Sequence, residues 1–185
     1  DMLGKVVSPA IAEELLKSGA RVCVIDNFST GRPQNLEVLR DNPRLRTVRA
    51  DVNDIARISP HLKNADYVFH LAALADIVPS IADPLLYHRA NVDGTVSVLE
   101  AARRACPGLK KFIYTASASC YGIPDEYPTP ENAEIKTEYP YALTKHLGEK
   151  AALHWCKVYG IPVISLRLFN VFGPKSRTSG TYGAV

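Results

Sequence analysis

Two periods of apolar positions take turns along this chain. From Ser8-Pro9 the run IAEELLKSG carries Ile11, Leu15 and Leu16 on one stripe. A serine cap, a proline in the first helical position and Gly19 at the end complete the pattern of a short helix. Arg21–Asp26 (RVCVID) then reads as a buried strand, a short apolar run ending in an acid. Pro33–Arg40 suits a short helix, and Leu45–Ala50 and Asp66–Ala72 (DYVFHLA) suit further strands. A long helical region is predicted from Asp83-Pro84 to about Cys106, with Val96, Leu99 and Ala102 on one stripe. Lys111–Thr115 (KFIYT) is the next strand. A loop rich in proline and acids follows, then a helix carrying Tyr141, and Val163–Leu168 is the last strand.

Strands separated by helical stretches imply βαβ crossovers, and so a doubly wound parallel α/β sheet, Rossmann-like, with helices on both faces. Ligands in such sheets sit beyond the carboxyl ends of the strands. The segments that follow the strands here are DNFSTG, ADV, HLAALAD, TASASCYG and RLFNVFGP, all rich in small or polar residues.

Composition narrows the class. A length of 185 residues with 46% apolar and 22% charged residues fits one globular domain. The net charge of +3 is dispersed, with Arg103-Arg104 and Lys110-Lys111 as short pairs, so no nucleic-acid partner is expected. No apolar stretch reaches membrane-spanning length and no signal peptide opens the chain, so no membrane partner is expected and the cytoplasm is the expected location. Cys23, Cys106, Cys120 and Cys156 are scattered, which suggests buried thiols in a reducing compartment rather than a disulfide framework or zinc site. No metal is expected.

Several residues could carry chemistry. Asp26 closes its strand, where an acid can accept hydrogen bonds from both hydroxyls of an adenosine ribose and repel a 2′-phosphate; a solvated loop aspartate is the other reading. Asn27, Ser29, Thr30 and Gly31 could bond the same ribose and phosphates. Asp51-Val52 could read an adenine edge. Leu71-Ala72-Ala73 leaves room for a flat ligand, although tight strand-to-helix packing explains small residues equally well. Asn91, a mediocre helix former inside a helical region, would face a phosphate or only water. Thr115-Ala116-Ser117-Ala118-Ser119 offers three hydroxyls at a strand end; a serine-rich turn bonding its own backbone is the alternative. Tyr141 and Lys145 lie one helical turn apart on one face. In a chain with nine tyrosines such a pair arises by chance about half the time. An ammonium beside a phenol favours the phenolate, which would make Tyr141 a general base near neutral pH. Tyr139 has Leu143 at the same offset and lacks that partner.

The order DNFSTG, HLAA, SAS-CYG, YxxxK and RLFNVFGP resembles the extended short-chain dehydrogenase/reductase family, and within it the nucleotide-sugar 4-epimerases, from about Ile11 to Pro174. The resemblance implies that Ser117, Tyr141 and Lys145 are the catalytic trio. It also implies NAD contacts at Gly4, Asp26, Asn27, Ser29, Thr30, Gly31, Asp51, Val52, Leu71, Ala72, Ala73, Asn91, Thr115, Tyr141, Lys145 and Phe169. Substrate contacts are implied at Ser117, Ser119, Tyr141 and Asn170. The implied activity is epimerisation of a nucleotide sugar, a UDP-sugar first, by tightly bound NAD, with a homodimer possible. Related 4,6-dehydratases and decarboxylases carry acids where this chain has Ala118 and Ser119, and eliminating water needs such a group. Another nucleotide-sugar enzyme, a dehydratase or reductase, remains an alternative, as does a catalytically silent NAD-binding or scaffold protein. Aligned back from Ala12–Leu16, Gly4 meets one of the family's phosphate-cradling glycines and Val7 falls on another. Residues 1–174 are therefore expected to form an NAD-binding domain lacking much of its first strand and glycine loop. Residues 175–185 would begin the connection to a missing substrate domain, and these 185 residues alone are expected to show little or no turnover.

Overall fold

A computed structural model describes residues 8–171. Helix α1 (Ser8–Lys17) leads into β1 (Val22–Asp26), and a 3₁₀ turn (Pro33–Leu39) into β2 (Leu45–Arg49). Helix α2 (Ile55–Leu62), β3 (Tyr67–His70), α3 (Ile77–Ala82) and α4 (Pro84–His88) follow. A π-helical segment (Arg89–Asp93) joins α4 to α5 (Gly94–Ala105). The chain continues through β4 (Lys111–Ser117), a 3₁₀ turn (Ala118–Tyr121), α6 (Pro140–Tyr159) and β5 (Val163–Leu168). All strand pairs are parallel, in the orders β1-β2 and β3-β4-β5. This is the α/β arrangement that the alternating periods require.

The strands fall where the apolar runs placed them, within a residue or two at each end. Helices α2 and α3 are additions that the pattern did not reveal. Both are short and contain a proline (Pro60 and Pro79), and neither is long enough to display a period. α2 is nucleated locally, by Asp54 accepting the Arg57 amide at 3.0 Å. The long helical region predicted to about Cys106 is two helices around the π-helical segment.

The core lies between the β3-β4-β5 sheet and helices α2, α5 and α6, around Phe112, Leu99, Ala101, Ala102, Ala152 and Ile58. α6 comes unusually close to the sheet. At Gly148 an added Cβ would collide with the Tyr114 hydroxyl and stand 3.0 Å from the Asn91 carbonyl oxygen, so only glycine lets the helix sit there. Register brings Asp26 of β1, His70 of β3, and Ser117 of β4 opposite Leu168 of β5 to the carboxyl ends of their strands.

Candidate active site

Beyond those strand ends runs a cleft of about 870 Å³, lined by β1 on one side and β3 on the other. Among the described residues each of these strands has a single strand neighbour. Asp26, Asn27, Ser29, Thr30, Asp51, Val52, Leu71, Ala72 and Ala73 all line it. The Asp26 carboxylate is held by the Phe28 amide at 2.7 Å, and Phe28 adopts φ 58° to make that turn. Burial pushes the Asp26 carboxyl above its ordinary range, against the Phe28 bond that favours the charged form. Gly31 lies directly against it. A Cβ there would be 2.6 Å from an Asp26 carboxylate oxygen. Asp51 is braced by the Asn27 side chain at 3.0 Å and by the Asn53 amide at 2.9 Å. Partial burial works against its charge, but those hydrogen bonds prevail and its carboxyl sits below the usual value.

Two residues expected at the cofactor turn inward instead. Asn91 is 1% exposed and does not line the cleft. Its Oδ1 accepts the Leu74 amide at 2.7 Å, and its Nδ2 donates to the Leu74 carbonyl and to Thr144 Oγ1, both at 3.0 Å. Its side chain is thus fully used in joining the loop after β3 to α6, and the expected phosphate contact has no free amide to make it. Thr115 is likewise buried, with its hydroxyl donating to the His70 carbonyl across the strand pair at 2.8 Å. Gly4 lies outside the described residues.

The Tyr-Lys pair sits on the first two turns of α6. Pro140 opens the helix and Tyr139 caps it with its ring largely exposed, so Tyr139 faces away from this chemistry. The Tyr141 amide donates to Ser80 Oγ at 3.1 Å, and the Tyr141 ring meets the Tyr87 ring edge-on at 6.5 Å. The Tyr87 hydroxyl in turn bonds the Ala75 carbonyl. Ser117 ends β4; its Oγ accepts from Ser119 N at 3.2 Å and from Ser119 Oγ at 2.8 Å, and its hydroxyl lies near enough to the Tyr141 phenol to favour the ionised form. The fold therefore brings Ser117, Ser119 and Tyr141 together. Phe169 and Asn170 are exposed just past β5.

The electrostatics differ from the expectation of a phenol lowered by its lysine. Burial raises the Tyr141 pKa, the nearby Ser117 hydroxyl lowers it, and the charge of Asp76 raises it further; the net direction is up. Lys145 is 2% exposed, with its ammonium 4.8 Å from the centre of the Tyr114 ring. Burial pushes it down to about 7, against the attraction of Glu149. A buried lysine poised between charge states is thus the group most perturbed on this helix. The thiols also depart from expectation: Cys106 and Cys120 are buried, whereas Cys23 is exposed and Cys156 intermediate.

Sequence reading missed Glu149 and Arg167. Glu149 follows Lys145 by one turn and is 3% exposed. It accepts from Ser165 Oγ at 2.8 Å and from Arg167 Nε at 3.0 Å, with His146 Nδ1 at 3.3 Å. An acid at the i+4 position of a helix stripe that already holds a buried lysine was the available signal.

A parallel α/β layer with a serine and a tyrosine together at a strand end, and a lysine buried one turn further along the tyrosine's helix, fits the short-chain dehydrogenase/reductase class. More narrowly, the chain belongs to the NAD dependent epimerase/dehydratase family, whose model matches residues 6–185. It is 32% identical over 186 residues to a UDP-glucose 4-epimerase of Mycolicibacterium smegmatis, covering 97% of this chain and 57% of that protein. Among solved structures it is similar to a UDP-N-acetylglucosamine 4-epimerase from Methanobrevibacter ruminantium, at 33% identity and a TM-score of 0.90, over 99% of this chain and 57% of the other. A dTDP-glucose 4,6-dehydratase from Streptomyces venezuelae with NAD bound matches at 26% identity and a TM-score of 0.88, over 95% of this chain and 56% of that one. The chain thus spans a little over half the length of these relatives. Among the described residues no helix is long and apolar enough to cross a membrane.

Proposed function

We propose that this chain is the NAD-binding and reacting part of a nucleotide-sugar 4-epimerase acting on a UDP-sugar. The observation that carries the reading is Ser117 at the end of β4 beside the Tyr141 phenol, with Lys145 buried one turn further along α6. The cleft residues suit NAD. Asp26 presents a carboxylate at the end of β1 in a cradle that a side chain at Gly31 would fill, and Asp51 is fixed beside it. Asp26 would hold the adenosine ribose, while Asp51 and Val52 would meet the adenine and Leu71–Ala73 would form the wall behind. Phe169 and Asn170 would meet the nicotinamide and the sugar nucleotide. When bound, NAD supplies a hydride acceptor and donor at the sugar C4.

The protein groups manage the proton. Tyr141, as phenolate, takes the proton of the sugar 4-hydroxyl while Ser117 donates to the same oxygen, leaving a 4-keto sugar. The same groups return the proton after the sugar has presented its other face, so the configuration at C4 inverts with no net redox change. Lys145, in its charged form, supports the Tyr141 phenolate that burial alone disfavours. In the turn after Ser117, Ala118 and Ser119 offer no carboxyl for removing water from the neighbouring carbons, which favours epimerisation over dehydration. Residues 1–174 would form the nucleotide-binding domain, and the outward leucines of α6 (Leu143, Leu147 and Leu153) suit a homodimer built on the long helices.

The test is product analysis on the full-length protein with UDP-glucose and UDP-N-acetylglucosamine, resolving the C4 epimers by NMR. The expected result is an epimer mixture that Tyr141→Phe abolishes and Tyr139→Phe leaves in place. A 4-keto-6-deoxy product would overturn the reading in favour of a dehydratase, and undiminished function in Tyr141→Phe would favour a silent nucleotide-binding protein.

A further inference from the structure

Glu149 and Arg167 form the most heavily bonded charged pair among the described residues, and the proposed reaction gives neither a role. Arg167 Nε approaches the two Glu149 oxygens at 3.0 and 3.2 Å. Its Nη1 donates to the Tyr121 hydroxyl at 2.7 Å and to the Glu131 carbonyl at 2.9 Å, and the guanidinium lies 5.1 Å from the Tyr121 ring centre. The pair therefore ties together three segments. α6 carries Tyr141 and Lys145; the turn containing Tyr121 begins directly after Ser117; and β5 runs on to Phe169 and Asn170. A pair that only stabilised the fold would have no reason to join these three, because replacing a buried ion pair by apolar groups is often neutral or favourable.

We propose that Glu149, one turn beyond Lys145 on α6, buried like it and held by Arg167 and Ser165, is a positioning residue: its fixed negative charge favours the charged lysine while the pair locks α6 against the Ser117 turn. This rests on reading Tyr141 and Lys145 as the reacting pair. The groups packed around Lys145 show why an outside charge is needed. Tyr114 of β4 lies beneath it with its hydroxyl given to the Lys145 carbonyl at 2.9 Å. His70 of β3 is buried and held neutral. Asn91 is neutral, and burial disfavours the charged form of Tyr141. Glu149 is the carboxylate whose attraction acts on the lysine, and it opposes the burial that drives the proton off. Arg167 and Ser165 hold Glu149 itself ionised despite its burial. Beside Lys145 the positive neighbours of this carboxylate are Arg167 and, when protonated, His146.

The experiment follows the Lys145 titration directly, by NMR of protein carrying ¹³Cε-labelled lysine, in the wild type, Glu149→Gln and Glu149→Asp, with Lys145→Arg to assign the resonance. Removing the charge should move the Lys145 midpoint to lower pH, and Glu149→Asp, which keeps it, should restore most of the shift. In turnover the alkaline limb of kcat should move to lower pH in Glu149→Gln, with KM changed less than about threefold. An unmoved Lys145 midpoint in a folded Glu149→Gln protein overturns the proposal, as does a fall in kcat that is uniform with pH. If Glu149→Gln fails to fold, Arg167→Gln carries the readout: it removes the cation that offsets Glu149, so the Lys145 midpoint should rise, and an unmoved midpoint overturns the proposal. The NMR titration needs no turnover, so a failed epimerase reading would show in the product analysis and leave this measurement standing.

Discussion

Replacing Gly148 by alanine is the sharpest test of how α6 is seated. Taken in isolation the change should help, since alanine favours a helix interior by about 1 kcal/mol over glycine. The seat decides otherwise. The new methyl would collide with the Tyr114 hydroxyl and stand 3.0 Å from the Asn91 carbonyl oxygen. Neither neighbour can step aside. Tyr114 is fully buried with its hydroxyl bonded to the Lys145 carbonyl, and the Asn91 carbonyl accepts the Thr95 hydroxyl at 2.6 Å. Overpacking of a tight core costs about 1–3 kcal/mol, and with a backbone oxygen and a locked phenol opposed, the upper end applies. Net of the helix term, Gly148→Ala should destabilise by about 1–2 kcal/mol. Urea unfolding should show a lower midpoint at unchanged slope. A double-mutant cycle identifies the cause. Tyr114→Phe alone should cost about 1 kcal/mol for its lost hydrogen bond, but in that background Gly148→Ala should cost less, since the colliding oxygen is gone. Gly148→Ala at wild-type stability or above, or an equal cost in both backgrounds, would refute the reasoning.

Two other predictions concern charge. Burial first, and the Lys145 charge second, hold the His70 imidazole down to about 3, so it is neutral in the folded protein and takes up a proton on unfolding below pH 6.5. Its contribution is therefore complete above pH 6.5 and lost as pH falls towards 3, at about 1.4 kcal/mol per unit. Between pH 7 and 5 the wild type should lose about 2 kcal/mol more stability than His70→Gln, and parallel pH curves for the two proteins would count against it. At the cleft, Asp26→Asn should narrow the preference for NAD over NADP in a fluorescence titration, and Gly31→Ala should weaken NAD binding by displacing the Asp26 carboxylate; unchanged affinities in both would remove Asp26 from the ribose site.

The sheet was legible because each strand is a compact apolar run with turn residues on both sides. Fewer of the helices between β2 and α5 could be read. α2 and α3 are too short to show a period, and no local signal marks where α4 passes into the π-helical segment. At the site, spacing on one helix located Tyr141 and Lys145, whereas their proton affinities depend on burial, which only the packed sheet supplies. Glu149 and Arg167 are 18 residues apart on a helix and a strand, so their pairing is purely tertiary. Asn91 misleads for a related reason. A polar residue in a helix suggests a ligand when its partner, the loop at Leu74, lies 17 positions away in the chain.

Asn91 has a consequence for substitution. Its tip must offer an acceptor to one backbone amide and two donors, to a backbone carbonyl and a threonine oxygen, at a site only 1% exposed. Aspartate has no donors to give, leucine has neither function, and glutamine carries the amide one methylene too far. Position 91 is thus nearly intolerant of change on the strength of its bonds to the loop at Leu74 and to α6 alone. Invariance here would record the joint between the cleft wall and the reacting helix, and a variant would lose the alignment of the two before it lost affinity for either ligand.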